Sequence, residues 1–202
     1  MNLFRYYCDI PNLIGSFECN RILDLFKSEQ RNSVQTDIGK VSQLSVLSES
    51  DISSTGTANN IIDAFESSNL FGFWKYDFSF IEPLQCSKYF EGDYYNWHTE
   101  VTDIGLNMKD SDISKGIPKD IKGKERKLTM IVSLNDSSPD QGGELELQVG
   151  KDFKEPPTKI IDFLSERGNA IVFPSYLWYR ITPVKSGSKS YITTSAWGDP
   201  FK

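Results

Sequence analysis

The feature that most constrains the fold is a succession of short β-type segments over the last two thirds of the chain. From Phe71 onward, apolar and aromatic residues alternate with polar ones at the period of two that gives a strand one buried face. Turns containing Gly, Pro or Asp separate the segments. Strands at this spacing predict a two-sheet β-sandwich or jelly roll. We predict strands over about 74–80, 82–89, 94–100, 127–134, 144–149, 170–174 and 191–197.

The first 70 residues have a different pattern, which predicts a helical support for the sheets. After the candidate N-caps Ser16 and Asn20, apolar residues recur at helical spacing, and they do so again over 58–67. The residues expected to face inward are Ile22, Leu23, Leu25 and Phe26 in the first helix and Ile61, Ile62, Ala64 and Phe65 in the second. The Ser-, Thr- and Asp-rich stretch 31–57 fits an irregular β-hairpin or a long loop. Without a repeat or a boundary, we predict one domain over 1–202, with helical support over 1–70 and a β core over 71–200.

The amino-acid composition limits the kinds of partner that this protein is expected to bind. The net charge is −6 and the pI is about 4.9, which argues against a nucleic-acid-binding face. The basic cluster 119–127 alternates with acidic residues, so we expect a solvated loop. No apolar run reaches the roughly 18 residues that span a membrane. Cys8, Cys19 and Cys86 are an odd number without metal-binding spacing, so we expect reduced thiols and a cytoplasmic location, which for a viral chain is the host cytoplasm.

The segment 102–125 is polar, rich in Gly and Lys, and without strong periodicity. A stretch of this length inside a compact domain is usually a lid or a disordered loop. It directly follows the segment that contains the only histidine of the chain, so it could form a lid over a site at that histidine.

That histidine is His98, within the run GDYYNWHTE at 92–100. A His and a carboxylate two residues apart on an extended strand point to the same face, and Glu100 supplies the carboxylate. They are two of the three ligands of a facial non-haem iron(II) site. The third ligand is normally a second His, and this chain has none.

At these residues the chain resembles the 2-oxoglutarate- and iron(II)-dependent dioxygenases of the prolyl-4-hydroxylase-like superfamily, in particular their small bacterial and phage members. Each matching segment is weak alone, but their order and spacing over about 70–200 make the set specific. The segments are 80–89, GDYYNWHTE at 92–100, RKLT at 126–129 with 134–136, GGEL at 142–145, GNAIVFPS at 168–175, 180–184, and SGSK at 186–189 with the strand to Trp197. The resemblance implies a double-stranded β-helix (a cupin-like jelly roll, mainly β with flanking α) with N-terminal helices.

The resemblance also implies roles for individual residues. His98 stands at the first iron ligand, and Glu100 stands where Asp is usual. Lys189 stands at the cation that pairs with the distal carboxylate of 2-oxoglutarate, and Tyr95 where a family tyrosine lines the cosubstrate pocket. The implied cofactors are Fe(II) and 2-oxoglutarate, with L-ascorbate as a candidate reductant.

The departure from the family is at the distal ligand. The family has Phe-Pro-Ser, three residues, and then His, whereas here the residue after FPSYLW is Tyr179. Three interpretations remain open: a tyrosinate ligand, a tyrosine lining a site whose iron keeps two protein ligands and an extra water, or a core aromatic in a protein that no longer binds metal. An ordinary tyrosine pKa near 10 makes ionisation costly without a bound cation.

These alternatives correspond to three functions. The first is an iron(II)/2-oxoglutarate hydroxylase acting on a peptidyl, prolyl or small-molecule substrate, with a small-molecule cosubstrate and no membrane partner. The second is an oxidase of the same fold that uses a variant His/Glu/Tyr site without 2-oxoglutarate. The third is a metal-free binding module that has lost catalysis.

Overall fold

The computed structural model describes residues 5–28, 34–36, 38–47, 56–101, 121–150 and 157–200. Within them lie two α-helices, α1 and α2, and thirteen strands. The helices are α1 (Ser16–Ser28) and α2 (Thr57–Phe71). The strands are β1 (Cys8–Ile10), β2 (Val34–Thr36), β3 (Gly39–Val41), β4 (Gln43–Leu47), β5 (Phe80–Ile81), β6 (Leu84–Phe90), β7 (Tyr94–His98), β8 (Glu125–Ser133), β9 (Leu145–Gln148), β10 (Thr158–Ile160), β11 (Ala170–Pro174), β12 (Tyr179–Ile181) and β13 (Ser188–Gly198).

The strands form two antiparallel sheets, as the sequence predicts for a jelly roll. The larger sheet has the order β1-β11-β8-β13-β6-β4, with β5 added beside β13, and the smaller has the order β10-β9-β12-β7-β3-β2. Apart from the consecutive pairs β2–β3 and β9–β10, most neighbouring strands are distant in sequence, so each sheet combines segments from distant parts of the chain. This arrangement is the double-stranded β-helix, and it brings β7 next to β12.

The larger sheet is buried on both faces, which explains why apolar residues are consecutive in β11 and in the middle of β8. In β8, Met130 and Val132 face the helices while Ile131 faces the smaller sheet. In β11, Val172 faces the helices and Phe173 faces the smaller sheet. Burial of this kind stabilises a domain by about 25 cal/mol per Å² of apolar surface.

The helices cover the outer face of the larger sheet. Helix α2 begins after Gly56, which has a positive φ of 74°, and ends before Gly72. Its buried residues recur at helical spacing: Ile61, Ala64, Phe65 and Ser68. Ile62, predicted to face inward, is instead 41% exposed, because it lies about 100° around the helix from Ile61. No helix in these described stretches has the length and apolarity to span a membrane.

The strand predicted over 74–80 is wrong except for its last residue. Trp74 is buried and Tyr76 partly buried, as the alternation indicates, but only Phe80–Ile81 pairs with another strand. Phe73 and Lys75 have φ values of 58° and 55°, in the left-handed region that interrupts a strand. Side-chain hydrogen bonds hold the segment instead, including that from the Tyr76 N–H to Asn69 Oδ1 at 2.9 Å.

Three further predictions have mixed outcomes. Strands β2 and β3 pair as the hairpin of the first alternative, whereas β4 pairs with β6 in the larger sheet. Residues 31–33, 37 and 48–55 of that stretch lie outside the described residues. The predicted lid lies almost wholly outside them, over 102–120. The solvated basic loop is wrong at its C-terminal end, because Lys127 is buried in β8, where its ammonium pairs with Glu125 Oε1 at 2.7 Å.

Candidate metal centre

A β-bulge on β7 turns two aromatic side chains into the space between the sheets. Tyr179 of β12 lies opposite His98, but Ile181, two residues later, lies opposite Tyr95, three residues earlier. The extra residue on β7 breaks the alternation of faces. Tyr95 and His98 therefore both line the same cavity, although three residues in a regular strand would place them on opposite faces.

Glu100 lies two residues beyond the end of β7 and also lines this cavity. Its backbone N–H donates to the Ser175 carbonyl at 3.0 Å, which fixes the segment against the turn after β11. Its carboxylate Oε1 is 3.4 Å from His98 Nε2. The structure thus brings together the His and the carboxylate that the sequence proposes as ligands.

The hydrogen bond at His98 Nδ1 determines whether Nε2 can donate or accept a hydrogen bond. Nδ1 lies 2.8 Å from the Asn96 backbone carbonyl oxygen, which can only accept, so Nδ1 carries the hydrogen. In the neutral imidazole, Nε2 then presents a lone pair to Glu100 Oε1, which is itself an acceptor. Two facing acceptors require a cation between them, either a proton or a metal ion. A metal-binding histidine is commonly oriented by such a hydrogen bond to a carbonyl.

Tyr179, which the resemblance sets at the distal ligand position, directs its phenol at the same carboxylate oxygen. The hydroxyl donates to Glu100 Oε1 at 2.6 Å, and the ring lies 4.1 Å from the His98 ring, centroid to centroid. Burial, reinforced by the negative charge of Glu100, raises the pKa of Tyr179 well above its ordinary value. Without a bound metal ion, Tyr179 is therefore a neutral hydrogen-bond donor to the carboxylate.

The second oxygen of Glu100 is held by a cation. Arg126 Nη1 lies 3.1 Å from Glu100 Oε2. Burial alone raises the pKa of the Glu100 carboxyl, but a proton shared with His98 Nε2, the charge of Arg126 and the hydrogen bond from Tyr179 outweigh it and lower that pKa to about 2. Glu100 is thus a carboxylate at neutral pH.

These residues fit iron(II) at two ligand positions. Two cis ligands of an octahedral ion with bonds of about 2.1 Å lie about 3 Å apart, close to the observed His98–Glu100 separation. Within the described ranges, no three or more His, Cys, Asp and Glu side chains come together in a way that could hold a metal. His98 and Glu100 would thus be the protein ligands, with Tyr179 supporting Glu100.

The cavity itself has a volume of about 100 Å³. It is smaller than the roughly 300–1,000 Å³ typical of pockets for drug-sized ligands, so its size suits a small acid rather than a peptide. Four phenols contribute to its wall: Tyr89, Tyr95, Tyr179 and Tyr191. Tyr95 is thus where the resemblance implies, although no contact with a cosubstrate tests that role.

Lys189 lies apart from this wall. It is 2% exposed, donates hydrogen bonds to Ser137 Oγ and, at 3.4 Å, to the Leu164 carbonyl, and does not line the cavity. Its ammonium is 5.4 Å from the ring centroid of Tyr191, which does line it. Burial lowers the pKa of Lys189 to about 8, although the charges of Glu144 and Asp136 oppose the shift. Among the described residues, no carboxylate lies at hydrogen-bond distance from this buried cation, an arrangement that suits an anionic ligand.

A jelly roll whose inner wall carries a His and a carboxylate defines a class of protein, the cupin-like metal-dependent oxygenases. Comparison of the sequence with protein families gives the particular family: residues 84–197 match the 2OG-Fe(II) oxygenase superfamily. The match covers more than half of the chain, and the chain belongs to this superfamily. The family is one of dioxygenases that use Fe(II) and 2-oxoglutarate, which are therefore the expected cofactors of this protein. A comparison with curated proteins gives no match.

Solved structures share the fold over nearly the whole chain. A prolyl hydroxylase from Trichoplax adhaerens, in complex with a hypoxia inducible factor peptide fragment, is 18% identical with a TM-score of 0.65, covering 95% of this chain and 83% of the other. A prolyl-4-hydroxylase of Pseudomonas putida is 14% identical with a TM-score of 0.63, over 95% and 91%. A viral collagen prolyl hydroxylase of Paramecium bursaria Chlorella virus-1, as its 2-oxoglutarate complex, is 18% identical with a TM-score of 0.62, over 96% and 97%. At these identities the likeness establishes the double-stranded β-helix fold alone.

The sequence reasoning missed the residues behind Glu100. Arg126 appears there only as part of a matching segment, and Glu82 and Trp197 carry no role. One signal was available: Arg126 is a charged residue just before the mostly apolar run 128–132, and a charged side chain beside a buried strand is rarely without a partner.

Proposed function

We propose that this protein is an iron(II)/2-oxoglutarate-dependent hydroxylase in which His98 and Glu100 are the only two protein ligands. The observation that supports this most strongly is the pair of facing acceptors, His98 Nε2 and Glu100 Oε1, 3.4 Å apart in the wall of the cavity. The lone pair on Nε2 and the ionised carboxylate offer a divalent cation two good ligands. When bound, iron(II) with 2-oxoglutarate supplies the oxidising chemistry of the superfamily.

In the overall reaction, 2-oxoglutarate and dioxygen give succinate and carbon dioxide, and one oxygen atom enters a C–H bond of the substrate. The chain provides a small cavity for the cosubstrate between the sheets. The buried cation of Lys189, 5.4 Å from the Tyr191 ring in the cavity wall, would attract its far carboxylate. Because Tyr179 replaces a ligand, one more position at the metal is left to water than in a site with two histidines.

We infer a peptidyl substrate, with prolyl residues as the first to test. The cavity is too small for a peptide, so such a substrate would lie at its mouth. The turn after β11 contacts Glu100 and carries two exposed aromatic side chains, Tyr176 and Trp178, at 41% and 49% exposure. Exposed aromatic faces are a favourable surface for apolar and prolyl side chains. One structural neighbour was solved with a peptide, which supports the same choice.

The decisive experiment is an anaerobic titration with Fe(II) and then 2-oxoglutarate, followed by visible spectroscopy. The proposal requires the charge-transfer band of the iron–2-oxoglutarate chelate in the wild type and its loss in His98→Ala. Uncoupled succinate formation is then measured against a panel of proline-containing and proline-free peptides. Absence of the band at saturating Fe(II) would refute the proposal.

One observation favours a second function, a binding module without metal. Tyr179 and Arg126 together satisfy both oxygens of Glu100 from within the protein. In that case neither Fe(II) nor 2-oxoglutarate would raise the unfolding temperature, which a thermal-shift series with Fe(II), Mn(II) and Zn(II) measures directly.

A further inference from the structure

Glu100 has one more rotatable bond than the aspartate that usually stands at its position, so something must fix the direction of its carboxylate. Three contacts do so. The backbone N–H is bonded to Ser175, Oε1 accepts from Tyr179, and Oε2 is paired with Arg126. Of the two side-chain partners, Arg126 carries the full charge and holds the oxygen that points away from His98.

Arg126 is itself held on several sides. Its Nη2 and Nε donate to Glu82 Oε2 at 2.9 and 3.1 Å, and its guanidinium carbon lies 4.9 Å from the ring centroid of Trp197. Trp197 Nε1 donates to the same Glu82 oxygen at 3.0 Å. The planar fork of Arg126 thus joins Glu82 to Glu100, a geometry that a lysine cannot reproduce.

We propose that Arg126, anchored by Glu82 and Trp197, is a positioning residue that occupies Oε2 of Glu100 and thereby presents Oε1 to the metal position beside His98. This inference rests on the proposed function. Glu82, Arg126 and Trp197 would then be residues that orient a metal ligand without binding the metal themselves. Loss of such a residue typically lowers metal affinity by about 10–100-fold.

The charge of the cluster is consistent with this role. Glu82 and Glu100 carry two negative charges and Arg126 one positive charge, so this partly buried group has a net charge of −1. That net negative charge attracts a divalent cation to Oε1, and Arg126 does not cancel it. If repulsion between Arg126 and the metal dominated instead, removing Arg126 would tighten metal binding. The direction of the change in metal affinity therefore distinguishes a positioning role from electrostatic repulsion.

The chain offers a matched control. Arg180 on β12 pairs with Glu146 Oε2 at 2.6 Å and also lies 4.9 Å from a tryptophan ring centroid, that of Trp97. It therefore has the same kinds of partner as Arg126, an acid and an indole, and differs in making no contact with Glu100. Arg180→Gln removes an equivalent ion pair from the neighbourhood of Tyr179.

The single histidine gives a direct probe. With ¹⁵N-labelled histidine, every imidazole signal of the protein reports on His98. We compare metal-free wild type, Arg126→Gln, Arg126→Lys and Arg180→Gln at one pH, and then titrate each with Zn(II) and, without oxygen, with Fe(II). Far-UV circular dichroism establishes that each variant is folded. If Arg126→Gln does not fold, Glu82→Gln, which removes only the anchor, takes its place.

The proposal predicts shifted or broadened imidazole signals in metal-free Arg126→Gln and at least tenfold weaker Zn(II) and Fe(II) binding. Arg126→Lys should recover part of the loss, and Arg180→Gln should match the wild type. Wild-type signals in Arg126→Gln, metal affinity within twofold of wild type, or tighter binding would each overturn it. If the wild type itself binds no metal, the proposed function fails, while the metal-free spectra still decide whether Arg126 orients Glu100 toward His98.

Discussion

At the scale of single residues, the phenol of Tyr179 distinguishes this site from one with two histidines. It is 4% exposed and hydrogen-bonded to Glu100, and we predict that it does not bind the metal. Tyr179→His should restore a facial triad and tighten Fe(II) binding at least tenfold, measured by anaerobic calorimetry. The matched variant Tyr179→Phe keeps the ring, removes the hydrogen bond to Glu100 and should not tighten binding in this way. Weaker Fe(II) binding by both variants would instead identify Tyr179 as a ligand.

The buried ammonium of Lys189 leads to a pH dependence of cosubstrate binding. Its pKa in the free protein is about 8, below the ordinary lysine value of 10.5, and pairing with a carboxylate raises it. If the charged form binds 2-oxoglutarate, as the resemblance implies, that form is lost as pH rises through 8. We expect the affinity for 2-oxoglutarate to fall by up to about tenfold per pH unit above 8. Calorimetry from pH 7 to 9 measures this, and Lys189→Arg, which stays charged throughout, should abolish the dependence.

Glu100 connects the site to acid stability. Its folded-state pKa of about 2 lies below the ordinary value of 4.5, so its contribution to stability is fully present above pH 4.5 and is lost as pH falls toward 2. The contribution is at most about 3 kcal/mol at neutral pH. In metal-free buffer, the difference in unfolding free energy between wild type and Glu100→Gln should shrink from pH 6 to pH 3. A difference independent of pH would show that Glu100 is not the titrating group.

At the scale of elements, the strands follow from the sequence where an apolar pattern coincides with a sheet partner. The segments 127–134 and 170–174 were predicted almost to the residue because both of their faces are buried. The strand predicted over 74–79 does not form, because the alternating burial of these residues comes from packing against the helices and not from pairing with another strand. Strands β10 and β12, of three residues each, are too short to produce a period.

The bulge on β7 could not be predicted from the local pattern of apolar and polar residues, yet it places Tyr95 and His98 on the same wall of the cavity. It is supported from the other side by β3, where Gly39 pairs with Tyr95. A Cβ at Gly39 would overlap the Tyr95 ring and lie 2.9 Å from the Tyr94 carbonyl. Gly39→Ala should therefore displace Tyr95, cost about 1–3 kcal/mol of stability and weaken 2-oxoglutarate binding. Gly15→Ala is the control, since its Cβ meets nothing within 4 Å, and equal behaviour of the two variants in denaturation and calorimetry would contradict the prediction.

At the scale of the molecule, the site is assembled from distant parts of the chain. The spacing of His98 and Glu100 predicted that pair, whereas Tyr179 was proposed from the resemblance, which sets it where the family has a histidine after Phe173-Pro174-Ser175. The structure brings these three together, while their roles as ligands remain predictions. The contact of Arg126 with Glu100 and Glu82 depends on how β8 meets the segments that follow β5 and β7, and no pattern within one strand encodes it.

The same interdependence predicts how the whole protein unfolds. Cys8 of β1, Ile22 of α1 and Phe65 of α2 belong to one core with Val132 and Ile192 of the larger sheet, so we propose that the N-terminal support and the β core form one cooperative unit. Urea unfolding followed by far-UV circular dichroism and by tryptophan fluorescence should give coincident transitions. Mn(II) with 2-oxoglutarate should move both to higher urea together, because a ligand of the native state stabilises the entire unit. Two separated transitions, with only one responding to ligand, would show that the helices fold independently of the site.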